Sequence, residues 1–266
     1  MRQDRPSFTA QRVAVQRAQL DRPVSVDGDP DAERRLYEGL SNPLLFRHLD
    51  DTRMRKRTEW FDTATVDALA RGVQQIVIVG AGYDGRALRF KSEGVHWIEV
   101  DHPATQADKR RRVEALGVPV DHITFAPIDL LDGDLNAVLE EAGHRADAAS
   151  LFLCEGLLGY LPTDAIVALL TTLRYRSTPG TTLAANFRVV GPPRWVGDSV
   201  VRGVLDGILR LAGETRLTEF GFGDGERLLA DTHWRVERQD IAGRSRFDGG
   251  SRGVVVLANP ARDDQA

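Results

Sequence analysis

The chain has one cysteine, Cys154, among its 266 residues, so neither an intrachain disulfide nor a multi-cysteine zinc site can form. Lysine is nearly missing: Lys56, Lys91 and Lys109 stand against 32 arginines, a skew that reads as coding bias because alanine, glycine and aspartate are also plentiful. A basic excess is missing too, since the formal net charge is −4, which argues against a binder of nucleic-acid backbones. No apolar run approaches the roughly 18 residues that span a bilayer. The opening Met-Arg-Gln-Asp-Arg-Pro has no signal-peptide core. No residue set has metal-ligand spacing. The expectation is a cytoplasmic protein, monomer or homodimer, with no nucleic-acid and no membrane partner.

Residues 1–72 read as a helical cover. Apolar residues at helical spacing mark three stretches: Val13, Val15 and Leu20; then Leu36, Leu40, Leu44, Leu45 and Phe46 around the Asn42-Pro43 turn; then Trp60, Phe61, Val66 and Leu69. From residue 73 the texture changes. Short apolar runs at Gln75–Val79, Val95–Val100, His122–Pro127, Ala148–Cys154 and Thr181–Val190 alternate with helical segments. That repetition predicts an α/β fold with five parallel strands and helices on both faces. Two final runs, Trp234–Ile241 and Gly253–Ala258, are separated by a Gly/Asp/Ser-rich loop and predict a C-terminal antiparallel hairpin, the arrangement of class I methyltransferases. Between them and the fifth strand, 191–222 is expected to form a substrate lid carrying Trp195, Leu205, Leu209 and Phe220.

Four consecutive strand ends carry glycine or an acid. Gly80-Ala81-Gly82-Tyr83-Asp84-Gly85 follows the first strand and satisfies G-x-G-x-x-G, a match that alone is weak. Asp101 follows the second strand, where a carboxylate can accept both ribose hydroxyls. Asp129 follows the third, placed to accept from an adenine amine while Leu130 packs the ring; Glu155 follows the fourth. Ligands of open α/β sheets bind over these strand ends. A pyrophosphate suits such an acid-lined crevice poorly, whereas a nucleoside bearing a sulfonium suits it well, which points to S-adenosylmethionine. For any one acid the plain alternative is a helix cap or solvated loop residue.

The runs Ile78–Arg86, Glu99-Val-Asp-His-Pro103 and Glu155–Leu161 resemble the leucine carboxyl methyltransferase family, specifically its bacterial branch of S-adenosylmethionine-dependent O-methyltransferases. The resemblance runs from about Thr9 to Val256. It implies a class I (Rossmann-like) fold, S-adenosyl-L-methionine as cofactor and S-adenosyl-L-homocysteine as product. It also implies that Arg57, in Arg57-Thr-Glu-Trp-Phe-Asp62, binds the cofactor carboxylate; the plain alternative is a basic helix face shared with Arg53, Arg55 and Lys56. Gly80, Ala81 and Gly82 would pass the methionine moiety, Asp101 the ribose, Asp129 and Leu130 the adenine, and Glu155 the methionine amino group. Three positions depart from the family pattern: Glu59 for arginine, Gly85 for threonine, which is expected to alter loop stiffness, and Gly159 for a bulky residue, which is expected to widen the acceptor pocket.

Methyl transfer from a sulfonium is an in-line displacement that depends mainly on positioning and exclusion of water. A carboxylate acceptor is already ionised and needs no base, and no His-Asp pairing announces one. A small-molecule carboxylate is therefore the expected acceptor, with a peptide C-terminus as the second class. Tyr160 and Arg188 are the acceptor-side candidates, Arg188 as a cation for a substrate carboxylate, with a surface salt bridge as its favoured plain alternative. The Lys109–Arg112 run is expected to be solvated, His102 to cap a helix or sit at the surface, and Cys154 to be inert filler. Two alternatives stay open: a nicotinamide-dependent oxidoreductase, resting on G-x-G-x-x-G, and an S-adenosylmethionine-binding protein without catalysis, resting on Glu59.

Overall fold

The computed structural model of the chain describes residues 6–40, 52–190, 207, 217–244 and 251–261. Three helices come first: α1 (Phe8–Arg17), α2 (Pro30–Leu36) and α3 (Thr52–Ala70). Each short one starts where its side chains satisfy the open backbone amides. Ser7 accepts from Ala10 N at 3.0 Å and Asp29 from Ala32 N at 2.7 Å, with Pro30 in the first turn of α2. The second expected stretch is shorter than its apolar spacing suggests, since α2 ends at Leu36; Asn42, Pro43 and Leu44–Phe46 lie outside the described residues.

The sheet strands are β1 (Gln75–Val79), β2 (His96–Asp101), β3 (Ile123–Pro127), β4 (Ser150–Cys154), β5 (Thr182–Val189), β6 (Trp234–Arg244) and β7 (Arg252–Pro260). Their order is β3-β2-β1-β4-β5-β7-β6, with β1 to β5 parallel and β7 antiparallel to both neighbours. The hairpin expected at the edge is therefore folded back: β7 inserts beside β5 and β6 becomes the outer strand. Between the strands run α4 (Arg86–Arg89), α5 (Pro103–Ala115), α6 (Leu135–Glu141), α7 (Thr163–Tyr175) and α8 (Asp224–Asp231).

Alternation along each strand divides the apolar residues between two cores. Ile76, Ile78, Trp97, Leu151 and Leu153 face Phe61, Ala64 and Ala68 of α3. Val77, Val79, Ile98, Val100, Phe152 and Cys154 face α6 and α7, with Leu139, Ile166, Leu170 and Leu173. The amphipathic α3 thus covers one sheet face, and Trp60 Nε1 donates to Asp240 Oδ2 at 3.0 Å to tie it to β6. Cys154 is buried against α7, where burial raises its thiol to about 12, consistent with an inert filler.

Of the expected lid, Trp195, Leu205 and Leu209 lie outside the described residues. Its described end docks on the sheet: Phe220 bridges Val189 and packs edge-on against Phe187, centroids 5.0 Å apart.

Candidate functional site

The carboxyl ends of β1 to β4 open into one cavity of about 360 Å³, roofed by α1. It falls within the size range of small-molecule sites. Gly80, Ala81, Gly82, Asp101, Asp129, Leu130, Glu155, Tyr160 and Arg57 all line it. Nine of the ten residues singled out from sequence therefore meet at a single site. The tenth does not: Arg188, on β5, is not among the lining residues, and its guanidinium lies 3.3 Å from Glu219.

The β1 loop turns through left-handed backbone at Gly80 (φ 71°) and Gly82 (φ 51°), which favours glycine. A Cβ at Gly80 would lie 2.9 Å from Leu157 Cδ1, and one at Gly82 2.7 Å from Ala10 Cβ. The glycines thus admit close approach by the protein's own Leu157 and α1, as well as by a ligand. Asp101 accepts from Gly82 N at 2.5 Å and His102 N at 2.6 Å, which fixes its carboxylate at the cavity wall. Burial raises its pKa, and these two backbone donors oppose the rise only in part. Asp129 accepts from Leu131 N at 3.1 Å and its side chain remains one-third exposed. His102 caps α5 through Ala104 N, as expected, but it also lines the cavity, with Nε2 3.8 Å from Asp129 Oδ2.

The other end of the cavity is an ion-pair network. Glu155 Oε1 accepts from Arg57 Nε at 2.8 Å, and Oε2 lies 2.7 Å from both Arg17 and Arg86. Arg86 also pairs with Asp84 at 2.5 Å and Asp62 at 2.7 Å, and Arg17 with Asp84 at 3.0 Å. Beyond Asp62, Arg22 reaches it at 2.7 Å and Glu33 at 2.6 Å; Glu33 also pairs with Arg89 and accepts from Tyr37. Burial disfavours the ionised forms of Asp84 and Glu155, but the guanidiniums outweigh it. Asp84 falls to about 2 and Glu155 lies well below the carboxylate range. Five arginines thus face four carboxylates across the network, of which Arg17, Arg57, Asp84 and Glu155 line the cavity itself.

The sequence pattern of the leucine carboxyl methyltransferase family matches residues 15–174. The chain belongs to that family. A Mycobacterium avium (strain 104) relative is 32% identical over 88% of this chain and 84% of its own length. A Mycolicibacterium gilvum (strain PYR-GCK) relative is 39% identical over 49% of this chain and 43% of its own. Both names assign the relatives provisionally to the S-adenosyl-L-methionine-dependent methyltransferases. The chain spans about half the length of the first three curated relatives, from 43% to 52%. Among solved structures, the magnesium protoporphyrin IX methyltransferase of Synechocystis PCC 6803, with bound S-adenosylhomocysteine, superimposes with a TM-score of 0.56 at 15% identity. That superposition covers 87% of this chain and 93% of that one. The 1,6-didemethyltoxoflavin-N1-methyltransferase of Burkholderia thailandensis gives 0.50 at 14% identity, over 80% of each chain. At those identities the likeness is one of fold, and the fold is that of class I methyltransferases.

The residues of this family member fit a sulfonium nucleoside with an amino-acid tail. The lining offers the carboxylates of Asp101 and Asp129 as acceptors for hydroxyl and amine groups, and the guanidiniums of Arg17 and Arg57 as donors for a carboxylate. Arg17 Nε is buried in the wall with no acceptor among the described residues.

The acid-lined crevice carries counter-charges: Asp84 pairs with Arg17 and Arg86, and Glu155 with these two and with Arg57. Two expectations besides Arg188 need correction. Lys109 is not solvated: it is 2% exposed, 2.5 Å from Glu99 and 2.6 Å from Asp84 O, while Arg110 and Arg111 are exposed. Gly159 does not line the cavity; a Cβ there would lie 3.7 Å from Thr218 O, and its carbonyl accepts from Leu217 N at 3.0 Å. Arg17 and Arg22, which the sequence reading missed, had no signal against a background of 32 arginines. Arg86 had one, its place two residues after Asp84 in the glycine motif.

Proposed function

We propose that this chain is an S-adenosylmethionine-dependent O-methyltransferase acting on a small-molecule carboxylate. The observation that carries the reading is the convergence, in one cavity, of the β1 glycine loop with the acids ending β2, β3 and β4 and with Arg57. When bound, S-adenosylmethionine supplies an electrophilic methyl group on a sulfonium.

The chain's residues hold and exclude. Asp101, fixed by two backbone donors, accepts from the ribose hydroxyls. Asp129 accepts from the adenine amine, and Leu130 packs the ring. Arg57 forks onto the amino-acid carboxylate, and Glu155, ionised by its three arginines, accepts from the ammonium. Tyr160, beside Leu157 and Leu161, meets the acceptor oxygen and orients it, while α1 keeps water out. Arg188 has no part in this reading. An ionised carboxylate needs no proton removed, so the reading assigns no general base. A peptide C-terminus shares that chemistry and is the second acceptor class.

The test is thermal stabilisation by S-adenosylhomocysteine against NAD. At 100-fold its Kd, S-adenosylhomocysteine should add about 2.7 kcal/mol. Stabilisation by NAD alone would overturn the reading, and S-adenosylhomocysteine binding without turnover on a broad acid and phenol panel would favour a non-catalytic binding protein.

A further inference from the structure

With the nucleoside and amino-acid ends of the cavity assigned by the proposed function, the remaining lining residues include a largely apolar set: Val13 of α1, Leu131 after β3, Leu157, Tyr160 and Leu161 after β4, and Leu217. Tyr160 is the only ionisable side chain among these six, and there is no charged one. Leu131 and Leu217 are 50% and 54% exposed, among the few large aliphatic side chains that the described surface leaves so open. Leu217 is held there by design of the backbone. Its N–H donates to Gly159 O at 3.0 Å, and the neighbouring Thr218 hydroxyl donates to Leu161 O at 2.6 Å, so the 217–218 segment is pinned onto the Tyr160 turn. Two half-exposed leucines on the lining of a cavity that also carries Asp101, Asp129, Glu155, Arg17 and Arg57 are explained by a ligand with an apolar part that covers them.

We infer that the acceptor is a monocarboxylic acid with an apolar body, its carboxylate at Tyr160 and its hydrocarbon part running out between Leu131 and Leu217. The inference rests on the methyl-transfer reading. In the step, the new bond joins a carboxylate oxygen to the methyl carbon and the sulfur–methyl bond breaks. The sulfur keeps that electron pair as a neutral thioether, and the product is a methyl ester; no proton moves. A second carboxylate on the acceptor would lie against this apolar wall without a partner, so dicarboxylates are rejected.

The experiment uses the full chain with straight-chain monocarboxylic acids from four to twelve carbons, the matching dicarboxylic acids, and phenols with alkyl tails. S-adenosylhomocysteine binding is measured alongside by calorimetry. Each added methylene should raise kcat/KM about fourfold until the chain outruns the two leucines. Dicarboxylic acids of equal length should be at least tenfold poorer. Leu217→Ser and Leu131→Ser should flatten the chain-length slope by raising KM, with kcat and the S-adenosylhomocysteine Kd unchanged. A flat slope in the wild type, or a preference for dicarboxylic acids, overturns the inference. So does methylation of the phenols alone, which would keep the apolar body and remove the carboxylate. Bound S-adenosylhomocysteine with none of these acids methylated also overturns it while leaving the cofactor assignment standing. Failure to bind S-adenosylhomocysteine at all removes the methyl-transfer reading itself.

Discussion

Arg57 Nε lies 2.8 Å from Glu155 Oε1, so a side chain from the helical cover and the acid that ends β4 form one unit at the cavity wall. The proposed function gives Arg57 a ligand carboxylate to bind; in the structure it clamps an acid whose other oxygen is shared by Arg17 and Arg86. Arg57→Ala should therefore weaken S-adenosylmethionine by roughly ten- to a hundredfold, the range for hydrogen bonds to charged groups, and adenosine far less. Calorimetric titration of both ligands checks this; equal losses would remove the carboxylate role.

Arg86 is fully buried and contacts Asp62, Asp84 and Glu155. Arg86→Ala strands three carboxylates away from water with fewer counter-charges. Loss of one partner from a buried ion network costs about 3–5 kcal/mol. Urea unfolding at neutral pH should show that loss, and a change under 1 kcal/mol would mean that water reaches the network.

Gly85 has an ordinary φ of −100°, so its missing side chain answers to packing rather than backbone strain. A Cβ there would lie 2.2 Å from Glu33 Cγ and 2.8 Å from the Tyr37 hydroxyl. Gly85→Thr, which restores the family's usual residue, should destabilise by about 1–3 kcal/mol, the range for overpacking. Glu33→Ala frees the space, so the double variant should recover the packing part of that loss. Thermal melts of the four proteins measure the coupling. Additive losses would separate the two positions.

His144 is buried beneath the sheet, with Nδ1 accepting from Arg176 Nε at 3.1 Å and Nε2 3.0 Å from the Ser150 hydroxyl. Burial, then the nearby guanidinium, lower its pKa from 6.5 to about 4. The native state therefore binds fewer protons than the unfolded chain between those values. The stability of the neutral ring is fully present above pH 6.5 and is lost as pH falls toward 4. Unfolding free energies at pH 7.5 and 5.0 should differ by about 2 kcal/mol more in the wild type than in His144→Gln. His96 and His122 are lowered too and contribute to both proteins. Below pH 4 a second loss begins: the lowered pKa values of Asp84 and Glu155 give stability that disappears as pH falls toward 2.

Much of the fold was legible because strand and helix periods differ. Gln75–Val79 is strand to the residue as expected, and the other strands deviate only at their ends. The strand-end residues of the cavity were legible for a related reason: parallel strands end on one side, so Gly80, Asp101, Asp129 and Glu155, each at or just past the end of a strand, gather there. Arg188 lies within β5, one residue before its end, and its guanidinium pairs with Glu219 instead of lining the cavity.

Sequence alone determined the sheet, the family and the acids that line the strand-end cavity, because each depends on local pattern or on order along the chain. Tertiary structure alone decided the electrostatics. Which of 32 arginines are buried depends on contacts such as Arg22 to Asp62 and Arg17 to Glu155, which join residues 40 and 138 positions apart. It also decided that Lys109 turns inward while Arg110 and Arg111 stay in water, and that Gly85 makes room for Glu33. A charge is buried only where counter-charges from distant segments converge on it, and no run of neighbouring residues records that convergence.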